Sequence, residues 1–302
     1  MNSAAPRLAR IDLHPIKSLD AISLAEARIG PSGGLEHDRA WALFSADGRW
    51  VNGKRTAAIH RIRAAYAPDL SSVTLSVSAD GRSIPSVRSA VASAAGPGAG
   101  AAASSDATPA VTFSAVAAAM PAATFPFPYG HEAAAGWFSE YFQQPIEVRY
   151  SSGGYPDDTE ANGPTIVSTA SLAAVCDWFP EISLAETRRR FRTSLELDGV
   201  PAFWEDQLFG KDKETIVRFR IGEVEFEGSN PCKRCPVPPR NSFTGEDLIG
   251  FQLRFMAQRQ AQLPAWSSAA RFDHYYRFTT NTRVAIAESG KTLRVGDTLT
   301  FL

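Results

Sequence analysis

The densest concentration of reactive side chains runs from Asn230 to Glu246, NPCKRCPVPPRNSFTGE. Cys232 and Cys235 enclose Lys233 and Arg234 in a Cys-x-x-Cys, and Pro236, Pro238 and Pro239 follow at once. A thiolate is a soft donor that can bind a transition metal or act as a redox nucleophile, and the two intervening cations favour that form. A structural zinc site wants two further Cys or His ligands at suitable spacing, whereas the sequence offers only Cys176 and, downstream, His274. A thioredoxin-type dithiol belongs at a helix start, which prolines so close behind disfavour. Two buried, unreactive thiols are the plain structural alternative.

Two further clusters carry charge. His14-Pro15-Ile16-Lys17-Ser18 is followed by Gly34-Leu35-Glu36-His37-Asp38-Arg39-Ala40-Trp41. Lys17, Ser18 and Arg39 supply a point charge, a hydroxyl and a planar fork, the parts of an anion cradle; solvated charges on a barrel rim are the competing reading. The third cluster is RRRFRTS, from Arg188 to Ser194. A basic run is usually a solvated helix face, but Arg192 directly precedes an expected strand (Ser194 to Leu197) and can be aimed into a cleft. Other motifs fail: Ser289-Gly290-Lys291-Thr292 lacks the upstream glycine of a phosphate loop, since position 285 is Ala285. No Gly-x-Ser-x-Gly elbow or His-Glu-x-x-His helix occurs, and the five histidines are scattered.

The elements that must position these residues read mostly as strands. Leu8 to Ile16 alternates, Ala40 to Phe44 and Trp50-Val51 flank Asp47-Gly48, and Val73 to Val77 precedes Asp80-Gly81. Later, Thr165 to Val167 runs into Ser168 as an N-cap for a helix through Phe179, and strands surround Gly222-Glu223 from Glu214 to Ile221 and Val224 to Glu227. A helix is expected over Asp247 to Gln262, with strands again at Val284 and Thr298. This pattern is α+β and predominantly β. The stretch from 89 to 110, rich in Ala, Gly and Ser, reads as a flexible insertion, and Ser151 to Pro164 as a hinge or site loop.

Composition narrows the function. Lys plus Arg number 31 against 32 Asp plus Glu, a balance that disfavours a nucleic-acid partner. Three cysteines imply no disulfide framework, and neither a secretory h-region nor an apolar run of spanning length is present, so a cytoplasmic protein with no membrane span is expected.

In order, HPIKS, GLEHDRAW, FRTSLELDG, FWEDQ, IGEVEF, PCKRC with FTGE, and RVGDTLTF resemble the MOSC family, named for the C-terminal domain of molybdenum cofactor sulfurases. More narrowly they are similar to the amidoxime-reducing components of mitochondria and their bacterial relatives. The resemblance implies an N-terminal β-barrel-like domain over 5–125 and a MOSC β-barrel domain with a few helices over 126–302. It implies the molybdenum cofactor (molybdopterin) in the cleft between them. Cys235 then ligates the metal and Cys232 is its neighbour; Lys17, Ser18 and Arg39 hold the cofactor phosphate. Arg192 and Ser194 face the pterin, and Asp206 stands near the metal to relay a proton. Thr193-Ser194 replaces the family's Pro-Asn, and Pro236 to Ser242 replaces its Thr-Thr-Val-Asp-Pro.

The implied activity is removal of oxygen from N–O or S–O bonds of small N-hydroxylated compounds, with Cys235 and Asp206 catalytic. The alternative is a non-catalytic carrier of the cofactor, or of a persulfide on Cys235. Pyridoxal phosphate, used by the desulfurase fused to related domains, finds no Schiff-base lysine context here. Because the chain stops at Leu302 with no Cys-x4-Cys-x2-Cys run, a separate ferredoxin, flavodoxin or b-type cytochrome is the expected electron donor.

Overall fold

A computed structural model describes residues 5–78 and 120–302. The Ala-, Gly- and Ser-rich stretch 89–110 and the Asp80-Gly81 turn signal lie outside those residues. The first half carries β1 (Arg7–Leu13), β2 (Ile22–Leu24), β3 (Glu26–Arg28), β4 (Trp41–Ser45) and β5 (Trp50–Val51). After these come β6 (Ile62–Tyr66), β7 (Ser72–Val77), β8 (Ala123–Pro126), α1 (His131–Phe142) and β9 (Ile146–Tyr150). The second half carries β10 (Ile166–Ser168), α2 (Thr169–Trp178), α3 (Leu184–Phe191), β11 (Leu195–Asp198) and β12 (Val217–Ile221). It ends with β13 (Val224–Lys233), α4 (Phe251–Ala261), β14 (Arg277–Arg283), β15 (Thr292–Arg294) and β16 (Leu299–Phe301).

Two of the hairpin signals fall on described residues, and both hold. Gly48 takes a left-handed φ of 76° between β4 and β5, and Gly222 one of 56° where Ile221 pairs with Val224. The five residues of β4 are all buried, because β5 and β9 flank the strand and α1 covers it. Helix α1 turns Ala134, Trp137, Phe138 and Tyr141 inward at helical spacing, against Trp41, Leu43, Ile62 and Leu75. Ser168 caps α2 as expected, its Oγ accepting the Ser171 N–H at 3.0 Å.

An eight-stranded sheet runs in the order β16-β12-β13-β14-β10-β11-β1-β2, beside sheets β5-β4-β9 and β6-β7-β8 and the pair β15-β3. The α+β, strand-rich class is as expected, but among the described residues the sheets do not close into barrels. The large sheet only curls: Arg7 bridges Thr298, and Leu8 N–H and Leu299 N–H bond the Asp297 and Pro6 carbonyls at 2.8 and 2.9 Å. Three-residue strands at its flanks are too short to complete a ladder there.

Three local expectations change. β13 does not stop at Glu227 but continues to Lys233, shifting register against β14 at Gly228/Asn230 and again at Pro231/Lys233. Such bulges let a strand tolerate Pro231 and bend it toward its end, where Cys232 lies. The Val284 to Ile286 run is not a strand, since β14 ends at Arg283 and a 3-10 turn opens at Ile286. Helix α4 starts only at Phe251, after Gly250 at φ 79°.

Candidate functional site

Beyond Leu13 the chain runs beside residues 39–41. Arg39 N–H donates to the His14 carbonyl at 2.8 Å, Trp41 N–H to Pro15 at 3.0 Å, and Lys17 N–H to Trp41 at 2.8 Å. This pairing brings Lys17, Ser18 and Arg39 to one wall of a cleft of about 750 Å³. Arg192 joins them because Asp12 N–H bonds the Ser194 carbonyl at 2.8 Å, setting the end of α3 beside β1. Ser18, Arg39 and Arg192 have φ of 76°, 52° and 52°. Non-glycine residues in that left-handed region cost roughly 1–3 kcal/mol each, and such strain gathers where function fixes geometry.

Twelve basic and five acidic residues line the cleft, in a chain whose formal charge is −1. Most of these cations are tied down. Arg188 grips Glu196 with two bonds of 2.8 and 2.7 Å, Arg189 and Arg190 share Glu186 at 3.0 and 2.8 Å, and Arg63 faces Asp20 at 3.2 Å. Arg39 is paired with Asp38; burial opposes its charge, but Asp38 and Asp157 hold it firmly protonated.

Arg192 differs. Its Nη1 donates to the Leu19 carbonyl at 2.5 Å, while its Nη2 is buried without a partner. Burial, then Arg39, lowers its pKa to about 10, so it remains a cation at neutral pH. His14 Nδ1, Asn230 Oδ1 and Arg234 Nε, on other lining residues, are likewise buried and unpartnered. His14 is held neutral well below its ordinary pKa by burial and by Arg192 and Arg39. Buried polar atoms are rarely left unmatched: the Arg192 and Arg234 nitrogens suit an anionic group, and the Asn230 carbonyl oxygen a hydrogen-bond donor, both parts of one polar ligand.

Cys232 and Cys235 are half-buried and line the same cleft. Arg234 organises their loop: Nη1 donates to Cys232 Sγ at 3.4 Å and Nη2 to the Phe191 carbonyl at 2.6 Å, which ties the loop to α3. Among the described residues no group of three or more His, Cys, Asp or Glu could hold a metal ion. A metal seated on one of these thiolates must therefore bring most of its other ligands.

Of the residues singled out in the sequence, Lys17, Ser18, Arg39, Arg192, Ser194 and Cys235 share the cleft. Ser194 is nearly sealed, its N–H bonded to Thr165 Oγ1 at 3.2 Å. Asp206 is not among the residues that share the cleft. It sits in a buried 3-10 turn outside the cleft lining, where it binds Arg259 and the Ser267 hydroxyl. Burial raises its pKa against the pull of Arg259. Its carboxylate is committed to an interior ion pair, not aimed at the thiols.

Sequence reasoning missed Lys54 and Asp157, which face each other at 3.2 Å. The only signal for Asp157 was its place in the Gly-, Pro- and Asp-rich loop after β9.

No curated protein matches the chain. Residues 5–145 match the family model of the MOSC N-terminal beta barrel domain, and residues 164–300 match that of the MOSC domain. The first supplies Lys17, Ser18 and Arg39 to the cleft, the second Arg192, Cys232 and Cys235. With both domains present and their residues meeting in one cleft, the chain belongs to the MOSC family.

Proposed function

We propose that this chain is a molybdenum-cofactor-dependent oxidoreductase that removes oxygen from N–O bonds of small N-hydroxylated compounds. The observation that carries the reading is the cleft itself: an arginine with a free buried nitrogen and a lysine cradle across from two thiols, with no protein ligand set for a bare ion among the described residues. The donor set fits the cofactor. Lys17, Ser18 and Arg39 suit its phosphate, Arg192 its polar heterocycle, and Cys235 its metal, which brings dithiolene ligands of its own. When bound, the cofactor supplies a two-electron couple and an oxygen acceptor.

The chain's residues bind and orient. Arg192 keeps its charge in a partly dry wall, where a hydrogen bond to an anion is strongest. Ser18 takes the Gly53 N–H at 3.0 Å, which fixes the turn that presents Lys17. Reduction of an N–OH group consumes two electrons and two protons and yields N–H and water. Since Asp206 is engaged elsewhere, those protons come from water, which reaches the cleft beside the exposed Lys233. A separate ferredoxin, flavodoxin or b-type cytochrome supplies the electrons.

The test is purification from a cofactor-producing host, with molybdenum and pterin measured and benzamidoxime offered with reduced benzyl viologen. One molybdenum per chain, turnover, and loss of both on Cys235→Ser support the reading. Loaded protein without turnover overturns the enzyme and favours a carrier. Absence of molybdenum overturns the cofactor assignment.

A further inference from the structure

The loop joining β9 to β10 crosses the anion cradle. Its ends are tied down: Ser151 and Tyr155 N–H donate to the Ala40 and Arg39 carbonyls at 2.9 and 3.0 Å, and Gly163 N–H to Thr282 at 3.0 Å. At the far end the Asn162 side chain donates to the Ser32 and Val284 carbonyls at 2.7 and 3.0 Å. Between these anchors residues 156–160 are exposed, and Gly154 at φ 72° sets the turn into them. The exposed middle is held by Asp158 Oδ1, which accepts the Glu160 and Ala161 N–H groups at 3.0 Å each, and by Arg283 Nε, which donates to the Glu160 carbonyl at 3.0 Å. It is a short strap pinned at both ends.

Two carboxylates of the strap line the cleft: Asp158 Oδ2 accepts from Asn281 Nδ2 at 3.5 Å, and Asp157 reaches the cradle. Asp157 Oδ1 accepts from Lys17 Nζ at 2.7 Å and lies 3.2 Å from Lys54 Nζ, while the Tyr155 carbonyl takes Lys17 Nζ at 2.8 Å. Lys17 is only 7% exposed, so its ammonium has little access to water. Burial lowers the lysine's pKa and Asp157 opposes that shift. Two of the three ammonium protons are thus engaged by the strap. A phosphate oxygen seeking Lys17 meets a carboxylate on the same nitrogen, and two anions in one partly dry site repel.

We infer that Asp157 is an internal competitor for the Lys17–Lys54 cradle, so that a phosphate-bearing ligand binds only as the carboxylate swings away and the strap loosens. The inference rests on reading Lys17 as an anion-holding residue; it does not depend on molybdenum or on the reaction. Ligand entry and strap release form one equilibrium, and the strap lowers apparent affinity by the fraction of molecules in which Lys17 is free.

Inorganic phosphate is the probe, titrated calorimetrically into the full chain. Asp157→Asn keeps the shape and removes the charge, and should bind phosphate about tenfold tighter than the parent. Asp157→Glu should stay near the parent, and adding Lys17→Met to Asp157→Asn should abolish the gain. Hydrogen exchange across 151–164 should rise in the parent at saturating phosphate. Equal or weaker binding by Asp157→Asn, or a strap still protected at saturation, overturns the inference even if molybdenum and turnover are found. Tighter binding sustains it even if neither is found.

Discussion

Replacing Asp206 by Asn takes one charge from a buried ion pair and leaves its shape in place. Arg259 is 1% exposed and Asp206 4%, and the guanidinium lies over Phe203 at 4.2 Å and Phe272 at 5.0 Å. Its Nε and Nη1 have no partner, so little else nearby can absorb the orphaned cation. Breaking a buried pair from one side costs about 3–5 kcal/mol. Asparagine still accepts from Ser267, which places the loss at the lower end, about 3 kcal/mol. For a domain of this size that corresponds to a fall in Tm of roughly 6–12 °C, read by calorimetry or circular dichroism. Removing the cation as well, in Asp206→Asn/Arg259→Met, should cost less than the two single losses together, because no unpaired charge remains. Turnover per folded, metal-loaded molecule should stay at the parent level. A melting point within about 1 °C of the parent, with turnover down tenfold or more, would return Asp206 to the chemistry and refute its placement as a structural residue.

Other expectations follow from the same physics. Glu205 is buried beside Asp206, which pushes its pKa up to about 7 from 4.5. Its stabilising contribution is therefore full below about 4.5 and lost as pH rises through about 7, and Glu205→Gln should flatten the Tm–pH curve over that window. Arg192→Met should raise the Tm of the unliganded chain, by about 1–3 kcal/mol in stability, because it removes a cation whose burial is only partly offset by the Leu19 carbonyl and by Asp20 and Asp38. The same variant should bind phosphate or cofactor at least about tenfold more weakly, read by calorimetry and metal content. Gly228→Ala should fold poorly, since a Cβ there would lie 1.4 Å from the Leu208 carbonyl oxygen. The yield of soluble protein and its melting profile check it.

The cleft was largely legible in the sequence because its parts sit on local signals. HPIKS follows an alternating strand, and DRAW opens one. Bringing them together needed only that residues 14–17 run beside 39–41. Arg192 was legible as the last basic residue before a strand, although its left-handed backbone at the end of α3 was not. The surroundings of Asp206 were not legible, because a Glu-Asp pair looks the same in sequence whether it faces a cleft or an interior arginine. Its partner, Arg259, is far along the chain on α4. The strap's carboxylate was hidden for a similar reason, since Lys17 and Asp157 meet across 140 positions. The bulged continuation of β13 escaped notice because Pro231 normally argues against a strand. Helix α1 went unread in an alanine-rich stretch whose apolar spacing is diluted by small residues.

The first strand of the molecule, paired locally with β2, gains its second ladder partner only from residues 195–198 of the second half. A ribosome emitting about 5–20 residues per second exposes Leu8 and Ile11 for many seconds before β11 emerges to cover them. Contacts this distant in the chain also form slowly once both ends exist. The junction that sets Arg192 beside the wall bearing Lys17 and Arg39 is therefore assembled late, and the cleft matures only after most of the protein has been synthesised.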